Sequence, residues 1–344
     1  MHARLLLGAA LLLSAAAHAE GPLPALPPLG VDPADTSVIG ISSGGYMATQ
    51  LAVAWPQRFT RLAVLAAGPW SCAEGGLGQA LGQCMSTRRG PPDLTALDRR
   101  LHDYQARELV GDVAAIGRLR AFVWHGEADD VIAPALGIAL AEQLSGWLDN
   151  PEVQLHTVTS PDIGHGWPVE ASPEIPPDQL GQCHAGGSTH LLACDRNIAT
   201  VALNWLHDSP ETQGENASSA ELLRFDQSEF AARGMADAGF LLVPSACEAG
   251  GCQVTVALHG CGMAEELIGE AFVRYSGLDA WATANQRVVL YPQAESSLAN
   301  PQGCWDWWGF SESSWQLDPL HDTREGSQIT ALMEMLERLE QPRT

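Results

Sequence analysis

The stretch Ser37-Val38-Ile39-Gly40-Ile41-Ser42-Ser43-Gly44-Gly45-Tyr46-Met47 decides how the rest of the chain is read. It opens as a short β-branched and apolar run, the composition of a strand buried on both faces, and passes through glycines into a helical pattern. Met47, Leu51 and Ala54 share one face of that helix, and Pro56 stops it. Gly40-Ile41-Ser42-Ser43-Gly44 has the G-x-S-x-G form of a nucleophile elbow. A serine on such a strand-to-helix turn projects its hydroxyl above the sheet. The following N–H, that of Ser43, then lies beside a reacting carbonyl as an oxyanion donor.

Outward from this turn the same scheme repeats. Short apolar runs at 62–66, 120–124 and 153–158 read as further buried strands, with a helical stripe through Ile198, Val201, Ala202 and Trp205. The polar stretch 209–219 carries no apolar periodicity and reads as a surface connection. Beyond it, strands at 254–258 and 287–291 precede a last helix with Leu332, Leu336 and Leu339 on one face. Strands alternating with helices predict an α/β fold with a mostly parallel sheet covered on both faces.

A nucleophilic serine needs a base and a group to orient it. Asp129, just past the 120–124 strand in His125-Gly126-Glu127-Ala128-Asp129-Asp130, is the candidate acid, and Asp130 is its rival. His165, in Gly164-His165-Gly166-Trp167-Pro168 after the 153–158 strand, is the candidate base, with His125, His156 and His259 as alternatives. His259-Gly260-Cys261-Gly262 lies at another strand end and offers the N–H of Cys261 as a second oxyanion donor.

Composition removes other chemistries. Of 344 residues 46% are apolar, and the formal charge is −23, which opposes binding to a nucleic acid backbone or an anionic membrane. All 18 basic residues are Arg, so lysine-dependent sites such as Schiff bases, Walker P-loops and Ser-Lys dyads are excluded. Arg4, the apolar run 5–17 and Ala17-His18-Ala19 predict a signal peptide over 1–19, a mature chain from Glu20 and export as a secreted protein. In an oxidising compartment eight cysteines read as disulfides. Proximity in sequence pairs Cys72 with Cys84, Cys183 with Cys194 and Cys247 with Cys252, leaving Cys261 for Cys304. That last bridge would hold Trp305 near the site. The sequence has neither CxxC nor HExxH, and no metal or cofactor is expected.

Ile41-Ser42-Ser43-Gly44-Gly45-Tyr46-Met47, His259-Gly260-Cys261-Gly262, Gly164-His165-Gly166-Trp167-Pro168 and Cys304-Trp305 together resemble the extracellular poly(3-hydroxybutyrate) depolymerase family. The resemblance covers most of the chain after the signal peptide. It implies a single-domain α/β-hydrolase that cleaves 3-hydroxybutyrate esters without a cofactor. Ser42 would be the nucleophile, Asp129 the acid, His165 the base, Ser43 and Cys261 the oxyanion donors, and Trp305 a substrate-crevice residue. The oxyanion loop follows Ser42 here, whereas it precedes the nucleophile in the usual order, so the chain resembles the circularly permuted subgroup. The last helix and the strand at 37–41 should therefore be neighbours. No fibronectin-like linker or separate polymer-binding domain is recognised after the catalytic region. Alternative readings are a secreted esterase for feruloyl, acetyl or synthetic polyester substrates, and a non-catalytic binding protein on the same scaffold.

Overall fold

The computed structural model describes residues 21–187, 189–209, 219–312 and 318–343. The predicted signal peptide and most of the 209–219 connection lie outside them. In chain order the strands are β1 (Thr36–Ile41), β2 (Phe59–Leu65), β3 (Arg120–Gly126), β4 (Leu155–Ser160), β5 (Trp167–Glu170), β6 (Gly181–Gln182), β7 (Leu191–Cys194), β8 (Ala220–Asp226), β9 (Ala238–Pro244), β10 (Gln253–Leu258) and β11 (Arg287–Tyr291). Eight of them form one sheet in the order β4-β3-β2-β1-β10-β11-β9-β8, and β5-β7-β6 form a small second sheet. In the large sheet only the pairings of β9 with β11 and β8 are antiparallel. The sheet thus runs without a break from the first block of sequence into the second, through the β1–β10 pair.

The period of two along each strand sorts side chains to two cores. Val38, Leu62, Val64, Ala121, Val123, Val256 and Leu290 face α1 (Ser43–Ala54), α2 (Pro134–Trp147) and α5 (Ser327–Glu340). Ile39, Ile41, Ala63, Leu65, Phe122, Trp124 and Val289 face α3 (Ile198–His207) and α4 (Leu278–Asn285). The apolar runs at β1, β2, β3, β10 and β11 are therefore strands covered on both faces, as their composition predicts, whereas the expected buried strand at 153–158 is corrected: β4 is an edge strand with most of its side chains partly or fully exposed.

Counted from β8, the spatial order becomes 1-2-4-3-5-6-7-8 with the second strand antiparallel. In that count the Ser42 turn follows the fifth strand and the Cys261 turn the third, which is where an α/β-hydrolase carries its nucleophile and its second oxyanion donor. The fold is a circularly permuted α/β-hydrolase. The N–H groups of Leu29 and Val31 donate to the Leu339 carbonyl, at 3.1 and 3.2 Å, and Gly30 N–H donates to Gln341 O at 2.9 Å. The segment entering β1 thus satisfies carbonyls that the end of α5 leaves unpaired, so the last helix meets the chain leading into β1.

Three local readings shift. The helix after the elbow starts at Ser43, earlier than the apolar face shows. Pro151–Gln154 form a helical turn, so β4 begins at Leu155 and runs on to Ser160. The hairpin β8–β9 was not anticipated, because two strands joined without a helix leave no strand–helix alternation to detect.

Candidate active site

Ser42, Asp129, His165 and Cys261 all follow the C-terminal ends of parallel strands in one half of the sheet, β1, β3, β4 and β10, with only β2 intervening between β1 and β3. Ser42 adopts φ 55° and ψ −122°, a costly conformation for a residue with a side chain. Its N–H donates to Leu65 O at 2.9 Å and its carbonyl accepts from Tyr46 N–H at 3.0 Å, so both sides of the turn are held. The glycines are required by close approach. A Cβ on Gly40 would collide with the Gly44 carbonyl, and one on Gly44 with the carbonyl oxygens of Leu258 and His259. The oxyanion loop is therefore pressed directly against the elbow, and a Cβ on Gly260 would lie 3.3 Å from Ser42 Cβ.

The acid and base loops are tied to each other before their side chains meet. Glu127 N–H donates to Ser160 O at 2.8 Å and Ala128 N–H to Ile163 O at 3.1 Å. Across this seam Asp129 Oδ2 accepts from His165 Nδ1 at 2.8 Å. Oδ1 accepts from the N–H groups of Val131 and Ile132, at 2.9 and 2.8 Å. Asp130 is exposed and turned away, which decides between the two neighbours. On the far side the base loop is braced by Gly164 N–H to Cys183 O at 2.8 Å and Trp167 N–H to His190 O at 2.8 Å. The Cys183–Cys194 disulfide closes that brace.

A second imidazole reaches the same carboxylate. His125, buried, places Nε2 3.2 Å from Asp129 Oδ2 and 3.0 Å from Ile132 O. Burial acts to raise the Asp129 pKa, but the hydrogen bonds from His125 and His165 outweigh it and hold the carboxyl well below the usual carboxylate range. Asp129 is therefore an anion at neutral pH, positioned to keep the His165 proton on Nδ1 and to leave Nε2 free for a serine hydroxyl.

His259 is not a base. Its ring is fully buried, Nδ1 donates to Gly260 O at 2.8 Å, and Nε2 accepts from Ala294 N–H at 3.1 Å. Burial pushes its pKa down to about 4, against weaker opposite pulls from Gly260 and Glu266. It fixes the oxyanion loop together with Gly262 N–H to Gln302 O at 2.7 Å and the Cys261–Cys304 disulfide. Among the described residues neither Ser43 N–H nor Cys261 N–H donates to a protein acceptor. His156 stacks on Trp205 along β4, away from these groups.

Ser42, Ser43, His165 and Cys261 open into one cavity of about 400 Å³. Its walls are mostly apolar, with Leu77, Leu81 and Met85 on one side and Val131, Pro301 and Trp308 on others. Trp305 does not line it. That indole is wholly buried, 5.3 Å from the His259 ring, which corrects its expected place in a substrate crevice; the tryptophans that line the cavity are Trp307 and Trp308. Trp307 reaches the cavity stacked at 4.4 Å on Tyr46, whose position in α1 follows the elbow. His125, His190 and Trp307 were the site residues missed from sequence. The sequence offers His125 only as an alternative base, and the structure makes it a partner of the acid four residues on. The four disulfides join Cys72–Cys84, Cys183–Cys194, Cys247–Cys252 and Cys261–Cys304, as sequence proximity paired them.

A strained serine after the fifth strand, a histidine held by a buried carboxylate, and free N–H groups over one apolar cavity define the class: a serine hydrolase of the α/β-hydrolase fold. The chain is 32% identical over 305 residues to a polyhydroxybutyrate depolymerase of Talaromyces funiculosus, covering 84% of this chain and 86% of the relative. It is 31% identical to a poly(3-hydroxybutyrate) depolymerase of Delftia acidovorans over 91% of its own length, but spans only 61% of that relative. Among solved structures, a PHB depolymerase from Penicillium funiculosum superposes with a TM-score of 0.82 at 30% identity, covering 92% of this chain and 98% of that one. A PHB depolymerase variant complexed with an R3HB trimer gives the same TM-score at 29% identity, over the same shares of the two chains. No family model matches. The chain belongs to the polyhydroxybutyrate depolymerase family.

Proposed function

We propose that the protein is a secreted serine ester hydrolase that cleaves poly(3-hydroxybutyrate) or its oligomers, both sequence blocks acting as one catalytic domain. The observation that carries this is the 2.8 Å contact of His165 with the buried Asp129 at the rim of the cavity that Ser42 enters. His165 Nε2 takes the Ser42 proton as Oγ attacks the ester carbonyl, and Asp129 stabilises the imidazolium. The oxyanion is met by the N–H groups of Ser43 and Cys261, which border the same cavity as Ser42. Collapse of the tetrahedral intermediate expels the alkoxide, which leaves as an alcohol with the proton from His165. A water deprotonated by the same imidazole then hydrolyses the acyl-Ser42 ester.

The apolar walls suit a substrate made of methyl-bearing aliphatic repeats with acceptors and no internal donors. The four disulfides and the predicted signal peptide support export. The test is clearing of a turbid polyhydroxybutyrate suspension by wild type and by Ser42→Ala. Wild type should clear it, and the variant should retain less than about one thousandth of the rate. Hydrolysis of a short chromogenic ester without clearing would move the substrate to other esters. Equal clearing by Ser42→Ala would remove the nucleophile assignment.

A further inference from the structure

The cavity contains one imidazole that the ester-cleaving steps leave unused. His190 lies at the end of the segment that braces the base loop, and its imidazole lines the cavity beside Ser42, His165 and Cys261. Among the described residues no hydrogen bond reaches that ring. Of the other polar side chains of the wall, Asn300 is spent on Cys304 N–H and the carbonyls of Glu295 and Cys304, and the Tyr46 hydroxyl donates to Cys84 O. Gln302 also lines the wall, with its Oε1 near Gly262, and the Trp307 indole N–H is buried in the stack on Tyr46 with no acceptor among the described residues. His190 is set against the oxyanion loop: a Cβ on Gly262 would lie 3.2 Å from its Nε2.

The backbone that carries the ring is itself constrained. His190 has φ 61°, a left-handed conformation that an imidazole-bearing residue adopts only when its surroundings impose it. Its N–H donates to Gly187 O at 3.1 Å and its carbonyl accepts from Trp167 N–H. Such strain, maintained next to an open cavity, points to a ring presented for contact rather than for packing. Burial, and then the nearby His165, push the His190 pKa down, so near neutrality the ring is uncharged and offers one N–H.

A hydroxyalkanoate polyester contains one ester per repeat and, away from its ends, no hydrogen-bond donor. Any polar group that recognises its interior must donate. The scissile carbonyl is already assigned to the N–H groups of Ser43 and Cys261. We propose that His190 donates from Nε2 to the carbonyl of the ester adjoining the scissile one, so that it sets the register of the polyester and selects substrates with at least two consecutive ester units. This rests on the polyester reading of the site given above.

The experiment compares wild type, His190→Asn and His190→Gln on two substrates: an end-blocked 3-hydroxybutyrate trimer and p-nitrophenyl butyrate, which has a single ester. Asn tolerates the left-handed backbone but its amide is too short to reach, whereas the Gln amide extends about as far as Nε2. His190→Asn should lose about tenfold in kcat/KM on the trimer and less than about threefold on the single ester. His190→Gln should recover most of the trimer activity. Equal losses on both substrates, or an undiminished trimer rate in His190→Asn, overturn the proposal while leaving the polyester reading in place. Failure of wild type to cleave the trimer while it cleaves p-nitrophenyl butyrate overturns both.

Discussion

Acid should loosen the oxyanion loop through His259, by an amount the structure allows to be worked out. In the folded protein both ring nitrogens are committed, one donating to Gly260 O and the other accepting from Ala294 N–H. A proton on Nε2 would turn that acceptor into a donor facing a donor, in a ring with no exposure to water. The folded pKa is about 4, against an unperturbed value of 6.5. The unfolded chain therefore binds a proton between those values that the folded chain refuses. The contribution is fully present above about pH 6.5 and is lost as pH falls toward 4. At about 1.4 kcal/mol per unit, the difference of some 2.5 units amounts to roughly 3 kcal/mol. Urea unfolding of the disulfide-intact protein between pH 7 and pH 4 should show this slope. His259→Asn, less stable at pH 7, should lack it, and its deficit should shrink by roughly 3 kcal/mol across the window. His207, whose pKa is also lowered to about 4, chiefly by burial, titrates in both proteins and cancels in the comparison. Parallel pH profiles for wild type and variant would refute the reasoning.

Asp129→Asn should reduce kcat by several orders of magnitude, because an amide facing His165 Nδ1 favours the wrong tautomer, while Asp130→Asn should stay within about twofold. Steady-state kinetics on a soluble ester decides it, and a larger loss for Asp130→Asn would reassign the acid. Gly44→Ala should not give a folded protein, since its Cβ meets two main-chain oxygens that β10 holds in place. Gly76→Ala, with nothing nearer than 3.6 Å, should melt within a few degrees of wild type, and similar thermal melts for the two would contradict the close approach at the elbow. Replacing Cys261 and Cys304 together by serine should lower kcat at least tenfold with the far-ultraviolet dichroism unchanged, because the bridge positions an oxyanion donor. Full activity in that variant would show that the His259 and Gly262 hydrogen bonds hold the loop unaided.

What could be read from sequence depended on whether the signal was local. The elbow at 40–44 is written in glycines whose need arises within a few residues, and the strand-end position of Asp129 follows from the apolar run 120–124, whereas the strand before His165 begins and ends two residues later than its β-branched run suggests. The edge strand β8 resists the same reading. Apart from Phe225 its side chains are partly or fully exposed, and Ala220–Asp226 mixes Glu and Arg with Leu. Trp305 and Trp307 could not be told apart because the segment carrying them is not a strand, so no alternation of faces applies. The Asp306 carboxylate accepts from the N–H groups of Gly309, Phe310 and Ser311, at 2.7, 2.9 and 3.0 Å, and turns the chain so that one indole is buried and the other lines the cavity. That outcome depends on a turn whose geometry no spacing encodes. His190 was illegible for a related reason: its place in the wall is set by pairing of β7 with β5 and by the Cys183–Cys194 bridge, both closed only in the folded chain.

The permuted order also explains why the site could be assembled correctly from a chain read in an unusual direction. A catalytic loop is placed by the strand it leaves and by that strand's neighbours, not by its position along the chain. β10 pairs with β1 in register from Ser37 beside Thr255 to Gly40 beside Leu258, which puts His259 level with Ile41 and the Cys261 turn alongside Ser42. Nothing in that pairing requires the oxyanion loop to precede the nucleophile. What the permuted order does require is that the segment entering β1 be anchored some other way, since among the described residues no preceding strand and helix of the same sheet leads into it. The three N–H donors at Leu29, Gly30 and Val31 on the end of α5 supply that anchor, and Leu26, Leu29 and Val31 bury their side chains in the core shared by α1 and α5. The fixed start of β1 in turn lets Ser42 be held in its strained conformation against Leu65 O, because strain at a turn persists only when the strand before it cannot slide.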